Sequence, residues 1–135
     1  MALNKAYSQY RENSIYTSSP EELTLMLYNG LVKYVMQSIA AIEENDLQKA
    51  HNSIVRSEDI IQEFIVSLDM KYDVSQNLLL IYDFMYRQLI DANIKKDKET
   101  LEVVLSFAKD LRDTWSQAMK LAKLQQPRQQ QAVTK

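Results

Sequence analysis

A single glycine, Gly30, and two prolines, Pro20 and Pro127, punctuate this entire chain of 135 residues. Average usage would supply about nine glycines and about seven prolines. Those residues make tight turns and interrupt helices, so a chain nearly without them is restricted to long helices joined by short links. Pro20 is itself part of a helix start. Ser19 is a good N-cap because its hydroxyl accepts from an early free backbone N–H. Pro20 suits the first helical position, where its missing N–H is not needed. Glu22 completes a Ser-x-x-Glu capping box, and Glu21 and Glu22 lie at the positive end of the helix dipole.

This start divides the chain into an N-terminal arm, residues 1–19, a folded body, residues 20–124, and a glutamine-rich tail, residues 125–135, whose low apolar content predicts disorder. The arm has Tyr7, Tyr10, Ile15 and Tyr16 as its apolar points. Tyr7 and Tyr10 would share a face if the arm coiled. Docking on the chain's own body and lining a partner site are both open to them.

Four helices are expected in the body. The first runs from Pro20 to about Glu44, with Leu23, Leu27, Gly30 and Tyr34 on one stripe and Leu31, Val35, Ile39 and Ile42 on its neighbour. Gly30 costs about 1 kcal/mol relative to alanine in a helix interior, and close approach of a neighbouring helix is the expected reason. The second starts after Asp46, with Leu47, Ala50, Ile54, Ile61, Ile65 and Leu68 as a stripe interrupted at Ser57, and Val55, Ile60, Phe64 and Val66 beside it. The third spans about Val74 to Ile94, with Leu78, Ile81 or Tyr82, Met85, Leu89 and Ala92 as its seam. The fourth follows Asp97, with Leu101, Val104, Ala108, Leu111, Trp115, Ala118 and Ala122 in alternating steps of three and four, which suits nearly antiparallel packing. Helices of roughly 22–28 residues would be about 33–42 Å long, and short links force neighbours to run antiparallel. The expected fold is all-α: an antiparallel up-down four-helix bundle with a partly ordered N-terminal arm. Helices one to three carry more apolar residues than one seam needs. A bundle interior and a covering partner both account for that excess.

Chemistry is hard to build from these residues. His51 is the one histidine and there is no cysteine. A phosphotransfer bundle would follow its histidine with a lysine and a glycine, but here Asn52-Ser53-Ile54-Val55-Arg56 follow. A carboxylate metal bundle needs Glu-x-x-His pairs, whereas Gln48 precedes His51. Neither catalysis nor a metal or other cofactor is expected. The net charge of −2, with signs interspersed, leaves no footprint for nucleic acid. No apolar run approaches the ~20 residues of a membrane span, and the first residues have no signal-peptide h-region, so no membrane insertion and a cytoplasmic location are expected.

Taken in order, several stretches carry a family resemblance. They are Tyr10, Ser19-Pro20-Glu21-Glu22-Leu23 and Met26-Leu27-Tyr28-Asn29-Gly30, then Ala50 to Ile61 as the arginine-bearing Ile-x-x-Ser-x-x-Ile-Ile stretch, and Ser67-Leu68-Asp69. Leu80-Ile81-Tyr82-Asp83-Phe84-Met85-Tyr86-Arg87-Gln88-Leu89, Ala92-Asn93 and Leu111-Arg112-Asp113-Thr114-Trp115 complete the set. From about Tyr7 to Ala118 the chain resembles the flagellar secretion chaperone family, FliS. The resemblance implies a chaperone, not an enzyme, without cofactor. Its client would be the disordered C-terminal segment of flagellin, held in the cytosol, kept from premature polymerisation and delivered to a component of the flagellar type III export gate. It also implies an arm that lies over part of the client site when empty, with Tyr10 as a client-site or gating residue. The face argument adds Tyr7 and Ile15, and Tyr28, Ile54, Ile61, Phe64 and Tyr86 on the body, as client-binding candidates. Exposed apolar grooves predict self-association without client. A helical adaptor for another partner and a phosphotransfer module are the competing classes.

Overall fold

A computed structural model describes residues 18–133, with side chains over residues 18–125. It is a bundle of four helices: α1 (Pro20–Glu43), α2 (Leu47–Ser67), α3 (Asp73–Lys95) and α4 (Lys98–Val133). No strand occurs among the described residues. Each helix packs on its chain neighbours, and α4 closes the ring against α1. The closing pair runs antiparallel: Trp115 of α4 touches Glu21 at one end, and Lys98 pairs with Glu43 at the other.

The helix starts follow their caps. Ser19 Oγ accepts from Glu22 N–H at 3.2 Å, and Asp46 Oδ1 accepts from Lys49 N–H at 3.1 Å. Asp97 accepts from both Glu99 N–H and the Thr100 hydroxyl. Removing the Ser19 hydroxyl leaves early α1 donors without that acceptor. Ser19→Ala is therefore expected to cost about 1 kcal/mol, read as a lowered denaturation midpoint; an unchanged midpoint would show that solvent serves those donors equally well. Two links are closed without glycine. Asn45 and Lys96 take positive φ, 60° and 52°, and Lys96 is held there by its ammonium donating to the backbone carbonyl and side-chain oxygen of Asn93.

The core is contributed by one face of each helix. Leu31, Val35, Ile54, Ile61, Met85, Leu89, Leu101 and Val104 have no exposed surface. On α1 the inner stripe is therefore that of Leu31 and Val35, and the stripe of Leu23, Leu27, Gly30 and Tyr34 faces outward, half-buried. On α2 the apparent interruption at Ser57 is part of the core: Ser53 and Ser57 are buried, and the Ser57 hydroxyl donates to Ser53 O at 3.0 Å. On α3 the choice between Ile81 and Tyr82 resolves to Tyr82, with Ile81 half-buried. The α4 seam holds through Ala108, is half-buried at Leu111 and Trp115, and is exposed at Ala118 and Ala122. Helix α4 is 36 residues long, against 24, 21 and 23 for the others. It continues through residues 125–133, the glutamine-rich stretch that the sequence reading set apart as a tail.

Candidate functional site

Two apolar recesses open on the bundle. The first, about 420 Å³, lies at one end, among Thr24 and Tyr28 of α1, Phe64 of α2, Val74, Leu78 and Tyr82 of α3, and Leu111 and Trp115 of α4. Three stacked rings form part of its wall. Phe64 lies between Tyr28, at 4.4 Å between centroids, and Tyr82, at 5.3 Å. The two tyrosine hydroxyls are hydrogen-bonded at 2.6 Å. Burial raises the Tyr28 phenol above its ordinary value, partly opposed by the bond to Tyr82. The Tyr82 phenol is raised further, by burial first and then by Tyr28. The rings thus stay neutral, joining an apolar wall to one internal polar contact. Trp115 borders this recess, and its indole N–H donates to Glu21 O at 3.0 Å, tying α4 to the first turn of α1.

The second recess is a groove of about 380 Å³ between α1 and α2, lined by Leu23, Met26, Leu27, Gly30 and Tyr34 with Ile60 and Glu63 opposite. Tyr34 carries cations on its ring: the Lys33 ammonium is 5.0 Å and the Arg56 guanidinium 5.7 Å from its centroid. This is the outward stripe of α1.

The candidates from sequence separate cleanly. Tyr28 and Phe64 come together in the end recess. Tyr86 stands apart, half-buried between α2 and α3, its hydroxyl accepting from Gln62 Nε2 at 3.0 Å. Ile54 and Ile61 are fully enclosed in the core, so in the packed bundle they offer no surface to a client; the period-3.6 pattern that singled them out is the core pattern itself. Tyr7, Tyr10 and Ile15 lie outside the described residues. Sequence reasoning missed Tyr82, Val74, Leu78 and Trp115 as lining residues, together with Met26 and Ile60. The doubled stripe on α1 was the available signal for the groove.

His51 is exposed on α2, where its Nδ1 meets the Asn93 amide nitrogen at 2.9 Å. It tethers α2 to the end of α3. Among the described residues no group of three or more His, Cys, Asp or Glu side chains could hold a metal ion. No helix among them is long and apolar enough to cross a membrane.

Comparison with known proteins places this geometry. A crystal structure described as a flagellar chaperone from bacteria superposes with a TM-score of 0.70 at 21% identity, covering 86% of this chain and 96% of that one, which shows the same fold. The flagellar secretion chaperone FliS of Bacillus subtilis is 40% identical over 119 residues, 88% of this chain and 90% of that protein. The protein of the same name from Escherichia coli is 28% identical over 119 residues, 85% of this chain and 88% of that protein. The family model described as flagellar protein FliS matches residues 3–122. The chain belongs to the FliS family.

Proposed function

We propose that this chain is an export chaperone that binds the disordered C-terminal segment of flagellin in the cytosol, prevents its premature polymerisation and helps deliver it to a component of the flagellar type III export gate. The relatives are named as secretion chaperones rather than enzymes, and the chain is taken with them as non-catalytic. The observation that carries the reading is the pair of open apolar recesses, one walled by Tyr28, Phe64 and Tyr82 and the other floored by Gly30. A disordered segment with apolar helical stripes needs such surfaces, because i, i+3 and i+4 anchors dock into apolar grooves. Tyr28 and Phe64 contact the client from the end recess. Tyr86, together with Tyr7, Tyr10 and Ile15 of the arm, completes the proposed client-binding set, with Ile54 and Ile61 packed beneath. Without client the same surfaces favour self-association.

Titration calorimetry against a flagellin C-terminal peptide of about forty residues tests this directly. Saturable binding with a negative heat-capacity change is expected, because apolar burial and ordering of the peptide occur together. A folded bundle that takes up no heat with the peptide would remove flagellin as the client.

A further inference from the structure

Trp115 stands where two recesses meet. Its ring lines the end recess together with Thr24 of α1. Next along α4, Met119, Ala122 and Lys123 border a separate, more polar recess of about 320 Å³, which Ser19, Glu21 and Glu22 complete. The bond from the Trp115 indole N–H to Glu21 O, at 3.0 Å, crosses from α4 to α1 at that boundary. It holds from outside a helix turn that is braced from within by its own side chains. Ser19 Oγ accepts from Glu22 N–H, and the Thr24 hydroxyl donates to Pro20 O at 3.1 Å.

We propose that Trp115 is a gate between these recesses: its side chain swings away from Glu21 without unfolding of the bundle and joins the two into one trough between α1 and α4. Three features keep the cost of opening low. The ring is half-buried, so only part of its apolar contact is lost. In an α-helix the Glu21 carbonyl also accepts from the N–H four residues on, so it keeps a partner when the indole leaves. The indole N–H makes its bond at an exposed site, where water can replace Glu21. The helix that carries the gate stays in place, because Leu101, Val104 and Ala108 anchor it with no exposed surface. From Leu111 to Lys123 the joined trough runs about 18 Å along α4 at 1.5 Å per residue. Its one end is the aromatic wall of Tyr28, Phe64 and Tyr82, and its other end has the charges of Glu21, Glu22 and Lys123. The gate concerns the shape of this end of the bundle, and it stands whether or not flagellin is the client.

Hydrogen exchange of the Trp115 indole N–H in the unaltered protein tests this without any variant. Trp115 is the one tryptophan, so its indole resonance is assigned by its presence. A local gate predicts protection of about thirtyfold to a hundredfold over a free indole, from one hydrogen bond and part of a ring's burial. Low urea should leave that protection unchanged, because the opening exposes little surface. The amides of Leu31 and Leu89, in the enclosed core, open with the whole bundle and should be protected at least about a thousandfold. Trp115→Phe keeps a ring and removes the donor. In that variant the amides from Glu22 to Leu25 should exchange about threefold to tenfold faster, with those of Leu31 and Leu89 unchanged. Indole protection equal to that of the core amides would overturn the gate, because Trp115 would then leave Glu21 only on global unfolding. Absent protection would overturn it too, since nothing would hold the gate shut. First-turn exchange that is unchanged in Trp115→Phe, or that speeds up equally in every helix, would likewise reduce Trp115 to a packing residue.

Discussion

Phe64→Ala should destabilise the bundle by about 3–5 kcal/mol. The ring is 5% exposed and lies between Tyr28 and Tyr82, so its removal takes away buried apolar area, two stacked contacts and the spacer that keeps α1 and α3 in register. Stacked aromatic pairs add roughly 0.5–1.5 kcal/mol beyond area burial. The recess on one side of the ring means that the lost volume becomes continuous with solvent, and partial collapse keeps the cost within that range rather than above it. Single domains have about 5–15 kcal/mol in all, so the variant would keep only a fraction of its stability. Urea denaturation followed by helical circular dichroism measures the change, with Phe64→Leu expected to recover much of it. A loss below about 1 kcal/mol would show that Tyr28 and Tyr82 close over the gap and that the three-ring wall is not structural.

Alkali should unfold this protein earlier than its helix content suggests. Burial raises both the Tyr28 and the Tyr82 phenols, with their mutual hydrogen bond adding to the rise at Tyr82 and opposing it at Tyr28. In the unfolded chain a tyrosine loses its proton near pH 10. The folded state holds these protons more tightly. Their contribution to stability is therefore complete below about pH 10 and is lost as pH rises from there toward the folded values. Because the hydroxyls share a hydrogen bond, they titrate as a coupled pair. Each proton that the folded state keeps and the unfolded chain has lost should lower stability by about 1.4 kcal/mol per pH unit above that point. Denaturation midpoints between pH 8 and pH 12 will show the slope. Tyr28→Phe with Tyr82→Phe should flatten it; an equally steep fall in that double variant would place the alkaline sensitivity elsewhere.

The starts of α1, α2 and α4 were legible because each is set by local chemistry. Ser19, Asp46 and Asp97 cap where a capping side chain was expected, and the observed spans begin at Pro20, Leu47 and Lys98. The start of α3 was less distinct because Tyr72 caps it without a side-chain hydrogen bond. What periodicity could not resolve was which of two adjacent apolar stripes turns inward. On α1 both stripes have the correct spacing, and the choice depends on how α2 and α4 approach. On α2 the core includes Ser53 and Ser57, whose hydroxyl groups register as polar in a sequence pattern. Yet a helical serine that donates to the carbonyl one turn back is compatible with burial, and Ser57 does so. The same ambiguity placed Ile54 and Ile61 among binding candidates, whereas they are core. Tyr82 was visible only as an alternative to Ile81, because its role depends on Tyr28 and Phe64, which are distant in sequence.

The order in which the helices neighbour one another also bears on how the chain is made. The main helix packings are between consecutive helices, apart from the seam between α1 and α4, which joins the two ends of the body. Helical bundles with mostly local contacts fold in about microseconds to milliseconds, whereas a ribosome adds about 5–20 residues per second. Synthesis, not folding, then sets the delay before the molecule is ready. The groove over Gly30 belongs to the first two helices to emerge, but both helices bury their inner faces against α3 and α4. Completion of α4 therefore acts as the assembly step: until Trp115 reaches Glu21, a nascent chain has the surface of the groove without its rigid backing.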